Sequence, residues 1–169
     1  MNAESTATGK YRATVEILSD TEVLIARTFN APRELVFEAI TTPEHVKAWY
    51  GCDTMKMIVC EMDVRVGGKW RYRLRMEDGS EHGFYGEYRE MIAPSRLVST
   101  ENYEPIGPGH ETLATLTLAE RNGRTIFRNR LSYQSKADRD GHLRSGMEQG
   151  MNEGLDRLDA LVTRRRVES

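Results

Sequence analysis

Trp70-Arg-Tyr-Arg-Leu-Arg-Met76 is the stretch that decides the fold class. Trp70, Tyr72, Leu74 and Met76 alternate with Arg71, Arg73 and Arg75. A period of two marks a strand, here with one apolar and one cationic face. Upstream, Ile58, Cys60, Met62, Val64 and Val66 alternate with Val59, Glu61, Asp63 and Arg65, which predicts a strand over 57–66. Gly67-Gly68 then supplies a tight hairpin turn. Downstream, Asp78-Gly79 signals another turn. The next strand, 82–91, carries Phe84 and Tyr88 on one side and Tyr85 and Glu87 on the other. Further strands are predicted at 96–103, 112–119 and 125–133, the last two joined by Asn122-Gly123, a favoured two-residue turn. Short turns between successive strands imply an antiparallel meander.

Towards the N-terminus, residues 22–29 are rich in β-branched and aromatic side chains and read as a strand, preceded by a short candidate at 13–18. Ala31-Pro32 ends that strand and starts a helix whose apolar stripe is Leu35, Val36, Ala39 and Ile40, with Phe37 beside it. Thr42-Pro43 starts a second short helix bearing Val46, Trp49 and Tyr50. At the other end, a single long helix is predicted from Ser135 to Arg164. Ser135 and Asp138 form a capping-box-like start. Its stripe is Leu143, Met147, Met151, Leu155, Leu158 and Val162, with Glu148, Glu153, Asp156, Arg157 and Asp159 on other faces. The fold class is therefore α+β: a curved antiparallel sheet of about six to seven strands around a long C-terminal helix, with two short helices after the first strand. One domain spans 13–166, and residues 1–12 form a polar, flexible tail.

The 169 residues hold 24 Lys and Arg against 26 Asp and Glu, a net charge of −2. No strong field is available to attract nucleic acid. Mean hydropathy is −0.61, and no run approaches the roughly 20 apolar residues of a membrane span. Met1 to Lys10 lacks the apolar core of a secretory signal. Two cysteines, Cys52 and Cys60, are too few for a disulfide framework, although one bridge between them is left open. A cytoplasmic location follows as the expectation.

One helix about 10–12 Å wide cannot fill a strongly bent sheet, so large side chains or a ligand must occupy the remainder. Gly146, Gly150 and Gly154 recur every four residues along the expected helix, each costing about 1 kcal/mol relative to alanine. They serve either close packing (or a bend) or open volume beside the helix. Trp49, Trp70, Tyr72, Phe84 and Tyr88 offer apolar area with hydrogen-bonding tips, and Met147 and Met151 are adaptable fillers. With Phe37 they make the candidate ligand-binding wall. Asp63, Arg65 and Glu101 are candidate polar cavity groups; for the strand bearing Glu61, Asp63 and Arg65, an inward and a solvated reading both stand. A carboxylate within an apolar cavity would have a raised pKa and could act as general acid or base. His45, His82, His110 and His142 lack metal-ligand spacing, and no nucleophile elbow or phosphate loop is present. No metal, cofactor or catalytic residue is assigned, and binding is favoured over catalysis.

Five segments carry a family resemblance: Arg27-Thr-Phe-Asn-Ala-Pro-Arg-Glu-Leu-Val-Phe-Glu-Ala39, Thr42-Pro-Glu-His-Val-Lys-Ala-Trp49, Glu61-Met-Asp-Val-Arg-Val-Gly-Gly-Lys-Trp70, Gly86-Glu-Tyr-Arg-Glu90, and Gly146-Met-Glu-Gln-Gly-Met-Asn-Glu-Gly-Leu-Asp-Arg-Leu158. Over about residues 20–163 the chain resembles the START-like, polyketide-cyclase-like helix-grip proteins. Within them it is similar to bacterial stand-alone domains related to the C-terminal half of the heat-shock chaperone ATPase activator. It departs at Tyr50-Gly51-Cys52, where the family pattern usually has Trp and then Gly-Pro. The resemblance implies a helix-grip fold and three alternative roles: binding a small hydrophobic molecule, regulating a chaperone ATPase, or cyclising or hydrolysing polyketide-like substrates. A sheet edge or the cationic strand face is compatible with a homodimer.

Overall fold

The computed structural model describes residues 12–168. The tail expected over 1–12 lies outside the described residues except for Arg12. Two strands, β1 (Thr14–Ser19) and β2 (Glu22–Phe29), precede two short helices, α1 (Arg33–Thr41) and α2 (Pro43–Trp49). Six strands follow: β3 (Met55–Met62), β4 (Lys69–Met76), β5 (Glu81–Ile92), β6 (Arg96–Tyr103), β7 (Thr112–Arg121) and β8 (Arg124–Ser132). Helices α3 (Lys136–Arg144) and α4 (Met147–Glu168) complete the chain.

All eight strands form one curved antiparallel sheet in the order β1-β2-β8-β7-β6-β5-β4-β3. The meander from β3 to β8 is the one that the alternating segments predict. The count rises to eight because the short N-terminal candidate pairs fully with β2 as an edge strand. The concave face carries Val23, Phe29, Trp70, Tyr72, Leu97, Leu118, Phe127 and Leu131, all in one buried core with α1 and α4. Phe29 meets Phe127 edge-on at 5.5 Å. Phe29, Val36, Leu158 and Val162 are fully buried, each contributing about 1.5–3 kcal/mol.

Two sequence expectations need correction. Strand β3 ends at Met62, so Val64 and Val66 belong to a loop, in which Val64 packs half-buried on the core and Val66 is exposed. The β3–β4 connection is a six-residue turn, 63–68, whose backbone bonds to β5 through Gly67 N–H to Tyr88 and Tyr88 N–H to Gly68. The predicted single helix from Ser135 is two helices. Ser135 does cap α3, accepting from the Asp138 N–H at 3.0 Å, but Gly146 adopts φ +86°. That left-handed conformation is the usual glycine stop just beyond a helix, and it separates α3 from α4. Asp159, on a face of α4 other than the apolar stripe, is buried against β2.

The backbone of α4 lies closest to α1, α2 and β2. Its anchor is ionic as well as apolar. Arg27, buried on β2, sets one nitrogen 2.6 Å from Asp156 and another 3.5 Å from Asp159. Asp159 also accepts from the Asn30 N–H at 3.3 Å.

Candidate functional site

The register places a polar and aromatic set on the concave face. Cys60, Tyr72, Phe84 and Tyr103 are consecutive partners across β3, β4, β5 and β6. Met62 and Trp70 form the adjoining row, with Gly86 opposite Trp70. On β6 the unbroken pairing with β7 keeps Leu97, Ser99 and Glu101 on one side, and Leu97 belongs to the core. Glu101 therefore points inward. Tyr50, the C-terminal cap of α2, drops onto Tyr72 with ring centroids 4.8 Å apart, and Trp70 packs on Tyr72 at 4.7 Å.

Hydrogen bonding divides this set in two. The Trp70 indole donates to the Thr100 carbonyl at 3.2 Å. The Trp49 indole donates to the Ala39 carbonyl at 3.0 Å. Tyr103 pairs with His82 Nδ1 at 2.6 Å and Tyr133 with His142 Nδ1 at 2.5 Å. By contrast, the Tyr50, Tyr72 and Tyr88 hydroxyls and the Glu101 carboxyl have no hydrogen-bond or ion-pair partner among the described residues. These four tips also stay out of the group of fully shielded, unpartnered atoms, so each keeps some accessible surface. Four open polar tips gathered on one aromatic wall are available to bond a guest molecule.

The electrostatics follow from burial. Desolvation pushes the Glu101 carboxyl above the usual carboxylate range. It also pushes the Tyr50, Tyr72 and Tyr88 phenols upward, and the nearby Glu101 charge adds to the rise at Tyr50 and, less strongly, at Tyr72. Tyr133 is raised by burial first and by Glu101 second. Burial lowers the His142 pKa, which favours a neutral imidazole beside Tyr133.

Of the residues singled out from sequence, Trp70, Tyr72, Phe84, Tyr88 and Glu101 share the concave face. Met147 and Met151 are half-buried on the first half of α4 and pack on the same core. Phe37 is a buried core residue of α1, and Trp49 is tied into α1 by its indole. Asp63 and Arg65 are not cavity groups. They sit exposed in the β3–β4 turn and pair with each other at 2.9 Å, because β3 has already ended. The cationic face of β4 is neutralised: Arg71 and Arg73 meet Glu104, and Arg73 and Arg75 meet Glu81, all at 3.0–3.2 Å. Both cysteines are free thiols.

Sequence reasoning missed Tyr50, Tyr133 and the two Tyr–His pairs. Tyr50 was legible only as an apolar residue beside Val46 and Trp49, and it caps the C-terminus of α2. The loop after it is held to α4 by Arg157, which donates to the Trp49 and Gly51 carbonyls and to Asp53. Glu153 accepts from the Asp53 N–H at 2.8 Å. Gly154 lies beneath: a Cβ there would stand 3.1 Å from the Trp49 carbonyl oxygen, so this glycine serves close packing. A separate groove of about 460 Å³ lies between Arg12 and α4 at Glu148, Asn152 and Glu153. Its lining is polar, and it holds none of the aromatic set. Among the described residues no cluster of His, Cys, Asp and Glu is arranged to hold a metal ion, and no helix is long and apolar enough to cross a membrane.

A family model described as activator of Hsp90 ATPase homolog 1-like protein matches residues 30–163. The chain belongs to this activator-homologue family. Its eight-stranded grip is that of the START-like helix-grip superfamily. A crystal structure of a Rhodobacter sphaeroides protein is similar over 90% of this chain and 99% of that one, with 27% identity and a TM-score of 0.84. A Nitrosomonas europaea protein is similar over 89% and 99%, with 21% identity and a TM-score of 0.78. A protein of the dynemicin biosynthetic locus shares the fold over 88% of this chain and 49% of its own, with 20% identity and a TM-score of 0.63. Among curated proteins, none matches the sequence of this family member.

Proposed function

We propose that this protein binds a small amphipathic molecule inside the grip, between the concave face of β3–β6 and the first half of α4. One observation carries the reading: Tyr50, Tyr72, Tyr88 and Glu101 are left open while the neighbouring indoles, Tyr103 and Tyr133 are satisfied. Each of these tips keeps accessible surface, so a ligand's own donors and acceptors can reach it. Trp70, Phe84, Met147 and Met151 supply the apolar wall, with Phe37 and Trp49 packed behind it. The chain acts as a single domain over 13–166, in the cytoplasm.

Native mass spectrometry of the purified protein, followed by titration with fatty acids, flavonoids and polyketides, tests the proposal. A co-purified species or saturable binding that weakens in Tyr72→Phe and Tyr88→Phe supports it. Absence of any saturable binding rejects it. Two other readings have a specific motive. The family description favours a chaperone ATPase as partner; an unchanged ATPase rate at high concentration of this protein eliminates that. The desolvated Glu101 suits a cyclase or hydrolase general acid or base, in which case Glu101→Gln abolishes turnover and leaves binding intact.

A further inference from the structure

Building on that binding reading, we infer that the ligand carries a basic nitrogen, so that the grip is a receptor for an amphipathic amine whose ammonium sits against Glu101 within the tyrosine rings. The argument begins with charge. Glu101 is the inward carboxyl of β6, and no lysine, arginine or histidine bonds to it. The two buried arginines are committed elsewhere. Arg27 is held by Asp156 and Asp159, and Arg139 by the Ser19 carbonyl and Asp140. The concave wall thus presents a potential anion with no cation bonded to it among the described residues, and a ligand cation is the group that would complete it.

The surrounding surface has matching chemistry. Around Glu101 the tyrosines are Tyr50 from α2, Tyr72 from β4 and Tyr133 from β8, with Phe84 and Tyr88 from β5 on the same face. Aromatic faces carry negative potential and attract ammonium groups. The open hydroxyls of Tyr50 and Tyr72 can accept from N–H donors that Glu101 leaves unused. Met147 and Met151 provide a pliable apolar surface for the rest of the molecule. Of the other charged groups near this face, Lys47 and Glu44 of α2 are exposed and act on Cys60, and Asp63, which acts on Tyr88, is paired with Arg65. His142 of α3 is bonded to Tyr133, and on α4 Asp156 and Asp159 engage Arg27 while Arg157 engages the 49–53 loop.

The test uses three fluorescent probes with one ring system: naphthylethylamine, naphthylethanol and naphthylacetate. Each is titrated calorimetrically into the full chain and into Glu101→Gln, with circular dichroism to show that the variant is folded. The expected result is amine binding about tenfold or more tighter than alcohol binding, and exclusion of the acetate. Glu101→Gln should erase the preference for the amine over the alcohol. Acidification should weaken amine binding to the wild type, because protonating Glu101 removes the attraction. Equal affinity for amine and alcohol, or an amine preference that survives in Glu101→Gln, overturns the inference while leaving the binding site in place. Failure of all three probes to bind folded protein overturns the site and the inference together.

Discussion

Replacing Arg27 with methionine should unfasten α4 from the sheet. The Arg27 side chain has no exposed surface, and its nitrogens lie 2.6 Å from Asp156 and 3.5 Å from Asp159. Asp159 is itself only 7% exposed. Removing the guanidinium leaves that carboxylate buried without its cation. Breaking one side of such a group costs about 3–5 kcal/mol. At 2–4 °C per kcal/mol for a chain of this size, Tm should fall by roughly 6–20 °C. Urea unfolding followed by far-ultraviolet circular dichroism measures the free energy directly. The triple variant Arg27→Met, Asp156→Leu, Asp159→Leu is the control, because an apolar replacement of the whole group should recover most of the loss. A single Arg27→Met within about 1 kcal/mol of wild type would refute the reasoning, since that is the range of a solvent-exposed pair. Leu155, Leu158 and Val162 would then hold the helix without ionic help.

Three further outcomes are expected. Glu101 binds its proton more tightly folded than unfolded, so its stabilising contribution is complete below the unfolded-state pKa and is lost as pH rises through the higher folded value. Glu101→Gln should therefore melt with the wild type in acid and above it at neutral pH; parallel Tm curves from acid to neutral pH would contradict this. At Gly150 an added Cβ would meet only Cys52, at 3.6 Å, so Gly150→Ala should gain about 0.5–1 kcal/mol of helix stability. At Gly154 the same change meets backbone at 3.1 Å and should lose that gain, a contrast read from paired denaturation curves. Arg157→Ala should free the 49–53 loop and make Cys52 react faster with a thiol reagent; an unchanged rate would show that Glu153 and packing hold the loop alone.

Much of this fold is readable from alternation because its strands are long and differ on their two faces. Trp70 to Met76 is unambiguous for that reason, and it orients Tyr72 and, through β5, Phe84 and Tyr88. Alternation identifies a face without saying which way it points, and it does not show where a strand stops. Asp63 and Arg65 share the pattern of β3, yet the chain has already turned at Met62. Glu101 could be assigned only once Leu97 was seen in the core. Gly146 resembles Gly150 and Gly154 in spacing, and only its positive φ separates a helix stop from a packing glycine. The Arg27 anchor joins residues 129 positions apart, beyond any local pattern. The open hydroxyls are a property of missing partners, which no residue type announces.

Helix α4 is clamped by charge along β2 and carries its methionines towards the opposite end, past the glycine stop. The ion pairs to β2 are its root, and the methionine-bearing half is held by apolar packing and by Asn152, which accepts from the Ala13 N–H at 3.3 Å. On the proposed binding reading, substitutions at Met147 and Met151 change which guests are accepted and leave the ion pairs to β2 in place. A scaffold arranged this way lends itself to diversification and to laboratory retargeting by changing that half alone.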